Sequence, residues 1–337
     1  MNRWLARFLV VLVIIIAMAG TALWWGRAKI AQPGPAMESA SVVIPRGTGT
    51  ADIASLLQEA DVIDHPWLFL TAVHLSGHQA LMAGEYNFPA HASIATIMDM
   101  MRRGQTVVHK LTIAEGLTVY QVMAQMRQAG GLTGNAAQSP EEGSLLPQTY
   151  FYSLGDTRDA LLARMTHAMN ELIDELWRRR APDLPFNNKI EALILASVVE
   201  RETAIPEERP HIAAVFLNRL RLHMKLQSDP TVIFAVSNAE GILDRPLTRD
   251  DLAVKSPYNT YQVEGLPAGP ICNPGRASLE AVLHPMAVDD LYFVADGSGG
   301  HVFSKSLTDH NRNVGNLRRL ENGQVVPPAV KKSKSPR

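Results

Sequence analysis

The chain has 337 residues, 46% of them hydrophobic, and a formal net charge of −1. That is enough apolar material for a sizeable core and more than one domain, and the near-neutral balance gives no electrostatic case for binding nucleic acid. The single cysteine, Cys272, excludes an intramolecular disulfide framework and a cysteine-cluster zinc site.

Between Arg7 and Arg27 the sequence carries no charge, a run long enough to cross a bilayer as a helix. Trp24 and Trp25 suit the interface at its far end, and Arg3 and Arg7 flank the near end. A cleavable signal peptide is the competing reading, because "AMAG" offers small residues at a plausible cleavage position. The apolar run continues past them through Ala22, Leu23 and the tryptophans, which favours an uncleaved single-span anchor over residues 8–26. Residues 31–39 then read as a Pro/Gly linker.

"SVVIPRGTGTADIASLLQEADVI" predicts a strand, a turn at Gly47 and Gly49, and an amphipathic helix with Ile53, Leu56 and Leu57 on one face. "AGEYNFPAHASIATIMDMMRRGQ" predicts a second strand and a helix closed by Gly104, with Ile94, Ile97, Met98 and Met101 turned inward. "HKLTIAEGLTVYQVMAQM" repeats the strand–turn–helix pattern loosely, with Thr118 where the first copy has Thr50. "GGLTGNAAQSPEEGSLLPQTYFYSLGDT" reads as loop, and "TRDALLARMTHAMNELIDELWRRR" as a long amphipathic helix with a basic last turn. After the break "APDLPFNN" come the apolar helix "IEALILASVVERE", a further helix over "HIAAVFLNRLRLH", and a short one after Asp229-Pro230. From "SPYNTY" onward the chain turns loop-rich, with short strands such as "LYFVAD", and its basic, proline-rich tail predicts disorder.

The apolar helix ends by placing Glu200 and Glu202 two residues apart. At about 100° per residue they point about 160° apart, so one cleft cannot receive both while the helix continues. Glu202 follows Val198, Val199 and Ile194 at helical spacing and extends the apolar stripe, whereas Glu200 follows Ala196 and Ser197 on the smaller, more polar side. A carboxyl at the end of an apolar stripe is partly desolvated and keeps a proton near neutrality, as a general acid requires. The competing reading makes both glutamates surface residues paired with Arg201 or Arg209.

Polar clusters follow that helix: Gln227 and Asp229 in "LQSDPT", Tyr258, Asn259 and Tyr261 in "SPYNTY", the loop "EGLPAGPICNPG", and "HVFSKSLTDHN". Rigid loops bearing neutral hydrogen-bonding groups and aromatic faces suit a sugar groove; equally, such residues cap helices and satisfy backbone groups in ordinary turns. His284, His301 and His310 lack zinc-motif spacing, and there is no nucleophile elbow, Walker loop or dinucleotide fingerprint.

"LILASVVERETAIPEERPHIAAVFLNRLRLHMKLQSDPTVIF", followed by "YNTY", "GLPAGPICNPG", His284-Pro285 and "LYFVADGSGGHVFS", resembles the endolytic murein transglycosylase family, the YceG-like proteins. The resemblance runs from the anchor to about Val314. It implies an α+β chain with a cytoplasmic tip and transmembrane helix (1–30), a LysM-like βα module (40–108), a mixed α/β lytic transglycosylase domain (109–320) and a basic tail (321–337). "ERET" matches the family's catalytic stretch and makes Glu202 its acid; Gln227, Tyr258, Asn259, Tyr261 and Glu200 would bind sugar, orient the acid or brace the loop. "EGSLLPQTY" matches a family loop in which aspartate is common where Gln148 stands here, so no acidic role is expected there.

The implied reaction breaks the N-acetylmuramic acid–N-acetylglucosamine bond and leaves a 1,6-anhydro end, with no metal or cofactor. An ordinary glycosidase uses two carboxylates; one well-placed carboxyl suits the intramolecular route. The rivals are a hydrolytic muramidase with Asp229 or Glu200 as base, and a non-catalytic wall-binding membrane protein. The implied setting is the inner membrane, crossed once, with the catalytic domain on the periplasmic side. Glycan strands would be the substrate there, and peptidoglycan synthases candidate partners.

Overall fold

The computed structural model describes residues 3–77 and 79–322, so most of the basic tail lies outside the described residues. Helix α1 (Arg3–Ala31) leaves apolar side chains such as Phe8, Ile14, Ile15 and Trp25 exposed. Among the described residues it is the one helix long and apolar enough to cross a membrane. The chain forms two compact units, the first comprising α1 and the residues up to Lys110 together with Gly131–Thr133 and Phe151–Asp156.

In the first unit, β1 (Ala40–Ile44) pairs antiparallel with β2 (Gly84–Phe88), Val42 opposite Tyr86. Helices α2 (Thr50–Glu59) and α3 (Pro66–Leu75) lie between them in sequence, giving a βααβ order. The period-2 burial of β1 puts Val42 and Ile44 into a core with Leu57, Phe69, Tyr86 and Phe88. Helix α4 (Ile94–Arg103) adds Ile97, Met98 and Met101, so the methionine stripe is packing. Ser93 caps its first turn, and Gly104 ends it in the left-handed conformation at φ 62°. The linker is docked rather than free, since Gly34 N–H donates to His91 O and His91 N–H donates to Ala36 O.

Three features differ from the sequence reading here. Helix α3 went unassigned because "PWLFLTAVHL" has no polar face to mark its period. "TYFYS", read as loop, is strand β4 (Thr149–Ser153), paired with β3 (Val108–Thr112); glycine, serine and proline around it masked its alternately buried Tyr150 and Tyr152. The repeat is also looser than the threonines suggested. Thr118 closes a capping box with Gln121 on α5 (Val119–Gln128), whereas α2 is capped by Gly49 without a side-chain bond.

The second unit is built around α7 (Lys189–Glu202), where every residue from Ala192 to Glu200 is buried. It packs with α6 (Arg158–Arg178), α8 (Arg209–Arg221) and α11 (Arg276–Leu283) around Leu195, Val198, Val199, Ile212, Phe216 and Val282. Short helices α9 (Asp229–Val236) and α10 (Arg249–Ala253) follow α8. A hairpin of β5 (Tyr292–Ala295) and β6 (His301–Ser304) leads into α12 (Leu307–Glu321). The loop-rich reading from Ser256 onward missed α11 and α12, and α10, just before it, went unassigned; α12 has no buried residue, so no apolar stripe announces it.

Candidate active site

Asn188 starts α7 by accepting hydrogen bonds from Ile190 N–H and Glu191 N–H. Fourteen residues later the helix stops at Glu202, because Thr203 turns extended (φ −141°, ψ 139°). A pocket of about 410 Å³ opens at this end, lined by Glu115, Gly116, Glu200 to Ala204 and Arg209. Both glutamates line it, because the helix does not continue past Glu202 and the limit set by helical angles no longer applies. The cavity sits at the helix terminus and so meets both faces, where a groove along the helix would meet only one.

The two carboxyls are nonetheless in different situations. Glu200 Oε1 accepts from Arg209 Nη2 at 2.9 Å, and its Oε2 accepts from Gly275 N–H at 2.9 Å. The side chains of this pair are only 4% and 9% exposed, so this is a buried brace between α7, α8 and the start of α11. The polar side on which the sequence placed Glu200 is therefore interior: Ser197, one turn earlier, is fully buried and accepts from Ile271 N–H.

Glu202 is half-buried, and burial is the main reason its pKa is pushed up to about 7. The Ser228 hydroxyl and the charges of His301 and Arg219 pull it down, while Asp229 pushes it further up. Ser228 Oγ approaches this carboxyl without completing a well-formed hydrogen bond, and it is buried with no other partner. The protonated and ionised forms of Glu202 are thus close in free energy near neutrality.

The loop beside it is held by a buried threonine network. Ser228 N–H donates to Thr260 Oγ1 at 2.9 Å, and Thr231 and Thr260 hydroxyls are 2.9 Å apart. Arg219 of α8 fixes the start of the loop through Leu226 O at 2.6 Å. Gln227 stands exposed at φ 51°, left-handed for a non-glycine residue, and its N–H donates to Thr260 O. Tyr261 Oη donates to exposed Asp229 at 2.6 Å, and burial followed by that carboxylate raises the phenol pKa.

The other residues read as sugar contacts divide differently. Tyr258 is half-buried and tilted on Phe234 with centroids 4.9 Å apart. Asn259 is fully buried: Nδ2 donates to Leu252 O and Val254 O, and Oδ1 accepts from Tyr261 N–H. It braces the loop from inside, with both ends of its side-chain amide engaged by backbone groups. Likewise, Ile271 to Gly275 of "GPICNPG" are buried, with Asn273 bonded to Leu117 O and Leu145 N–H. Burial pushes the Cys272 thiol pKa well up.

No group of three or more His, Cys, Asp or Glu side chains that could hold a metal occurs among the described residues. Glu142, in the loop "EGSLLPQTY", has its pKa raised to about 7, chiefly by burial, and accepts from Val119 N–H at the start of α5.

The model of the YceG-like family matches residues 42–316. The chain belongs to that family. It is 31% identical over 304 residues to a Bacillus subtilis (strain 168) protein named endolytic murein transglycosylase, covering 81% of this chain and 83% of that relative. A protein of the same name from Streptococcus pneumoniae (serotype 2, strain D39) is 30% identical over 323 residues, covering 81% of this chain and 57% of the relative. A crystal structure of a yceG-like protein from Listeria monocytogenes superposes with a TM-score of 0.52 at 31% identity, covering 82% of this chain and 98% of that one.

In this YceG-like chain the sequence reading overlooked Ser228, Arg219 and Glu208, and it weighed His301 as a metal ligand and as part of a polar sugar-groove cluster, not as a partner of Glu208. Arg219 carried a signal, being a charge beside Asn218 within the mostly apolar "AAVFLNRL". Ser228 and Glu208 carried none, since their neighbours come from elements distant in sequence.

Proposed function

We propose that this protein is an endolytic murein transglycosylase that cleaves the bond between N-acetylmuramic acid and N-acetylglucosamine within peptidoglycan strands, with Glu202 as its acid and base. Membership of the YceG-like family and the names of its Bacillus and Streptococcus relatives support the activity. The observation that carries the residue assignment is the half-buried Glu202 carboxyl at a helix end beside a pocket, with a pKa near 7.

In the first step Glu202 gives its proton to the bridging oxygen as the bond to muramyl C1 breaks, and the sugar gains oxocarbenium character. The resulting Glu202 carboxylate then removes the proton of the muramyl C6 hydroxyl as that oxygen bonds to C1. A 1,6-anhydro end forms and Glu202 is reprotonated. The tethered hydroxyl replaces the water and second carboxylate of a hydrolase. Gln227 and Tyr261 are the exposed and half-exposed groups for sugar hydroxyls and acetamides, with Asp229 held by Tyr261.

The first unit is read as a LysM-like glycan-binding module, supported by its βααβ order. It holds a pocket of about 460 Å³ lined by Pro45, Arg46, Met82, Gly84, Thr106 and Ser153. The α1 helix is read as an uncleaved anchor in the inner membrane, with both units on the wall side.

Digestion of purified glycan strands tests the reaction. The expected outcome is anhydro-ended fragments from the wild type and at least a roughly 10²–10⁴-fold slower release from Glu202→Gln, which keeps size but loses the proton. Reducing ends would indicate a muramidase, and an active Glu202→Gln would move the acid elsewhere.

A further inference from the structure

The chain immediately after Glu202 is tied down by a local turn that His301, distant in sequence, holds in place. Thr203, the residue that ends α7, donates from Oγ1 to Glu208 Oε2 at 3.2 Å and accepts from Ile205 N–H at 3.0 Å. Glu208 closes the 3₁₀ turn Pro206–Glu208, and both of its oxygens are taken by His301 at the start of β6. His301 N–H donates to Oε1 at 2.8 Å, and Nδ1 meets Oε2 at 2.7 Å. A carboxylate only accepts, so Nδ1 carries the proton in this contact.

The approach is built from both sides. Asp296 accepts from Ser298 N–H and Gly300 N–H, which shapes the turn that presents His301. A side chain on Gly300 would begin 3.0 Å from Glu208 Oε1 and 3.3 Å from Asp296 Oδ2, so glycine lets the backbone come this close. Burial favours the neutral acid at Glu208, but the bonds from His301 and Thr203 outweigh it and hold the pKa below the usual value. Charge-assisted bonds of this kind fix geometry more firmly than neutral ones.

We propose that Glu208 and His301 are positioning residues for Glu202: together they clamp the turn at Thr203, and through it they hold the Glu202 carboxyl at the pocket. The inference rests on Glu202 being the acid. An error of about 1 Å in placing a reacting group can cost about 10²-fold in rate, which sets the scale of the expected effect. The clamp acts through His301 Nδ1, because that nitrogen contacts Glu208. The amide nitrogen of asparagine can reproduce a donor at that position, whereas glutamine places its amide near Nε2 instead.

The test measures release of anhydro-ended product from glycan strands by the full-length chain carrying His301→Gln, His301→Asn, Thr203→Val or Glu202→Gln, with circular dichroism on each. The expected result is a kcat lowered about 10²-fold at unchanged KM for His301→Gln and Thr203→Val, and recovery to within about tenfold of wild type for His301→Asn. Wild-type kcat in both His301→Gln and Thr203→Val overturns the proposal. So does an asparagine variant as impaired as the glutamine one, since the imidazole would then act through its other nitrogen or its charge. Thr203→Val removes only a hydroxyl and keeps the shape, so it decides the matter if the His301 variants unfold. An active Glu202→Gln would instead refute the assignment of the acid, and that result reads separately from the other three.

Discussion

Glu200→Gln separates a brace from a catalyst. The substitution keeps size and an oxygen that can accept from Gly275 N–H, but it removes the charge facing Arg209, whose side chain is only 9% exposed. Breaking a buried ion pair from one side costs about 3–5 kcal/mol, because the other charge is left uncompensated. Glu115 offers Arg209 a second carboxylate, but at 3.5 Å and 43% exposed, so the lower end of about 3 kcal/mol is expected. At about 2–4 °C per kcal/mol for a unit of this size, the melting temperature should fall by about 6–12 °C. Chemistry at Glu202 should survive in the folded fraction. The assay is a thermal melt of the full-length variant beside anhydro-product release about 20 °C below its midpoint. An unchanged melting temperature would refute the brace, and a stable but inactive variant would show that Glu200 takes part in the reaction.

Glu202 itself should reduce stability at high pH. Its pKa lies near 7 in the folded chain against 4.5 ordinarily, so the neutral form's contribution is fully present below about pH 4.5 and is lost as pH rises through 7. Glu202→Gln cannot ionise, and above pH 7.5 it should be more stable than wild type by about 3 kcal/mol, with no gain at pH 4.5; melts at the two pH values check this. By the same titration, the wild-type cleavage rate should decline above about pH 7, and a rate still rising at pH 9 would mean that the acid titrates elsewhere. Asn259→Ala leaves Val254 O and Tyr261 N–H unpaired, while Leu252 O keeps the bond from Gln262 Nε2, and should cost about 2–3 kcal/mol, with activity tracking the folded fraction; full stability with weakened glycan binding would make Asn259 a sugar contact. Membrane fractions should contain chain beginning at or near Met1, whereas a mature terminus near Thr21 in the soluble fraction would mean that the anchor is cleaved.

Periodicity and capping were legible in the sequence because they are local. Alternation in "SVVI", the inward stripe of α4, the Gly104 stop and the apolar run of α1 each follow from neighbours a few residues apart. The same holds for the end of α7, where Glu202 follows Val198 and Val199 before Thr203 and Pro206. Elements without a marked period were not legible: α3 is apolar nearly all round, and α12 has no buried face. Family membership was legible too, since it rests on the order of several motifs.

Tertiary structure decided what each polar residue is for. Glu200 and Glu202 differ by one helical offset, yet only packing shows that Arg209 and Gly275 engage the first while the second is left beside the pocket. Asn259 and Tyr261 sit two residues apart in "YNTY", and one faces into the loop while the other reaches Asp229. His301 meets Glu208 across 93 positions of chain. Spacing along a helix fixes the direction in which a side chain leaves its own backbone. The desolvation and the partners that set its chemistry come from other elements, and those arrive only when the chain has packed.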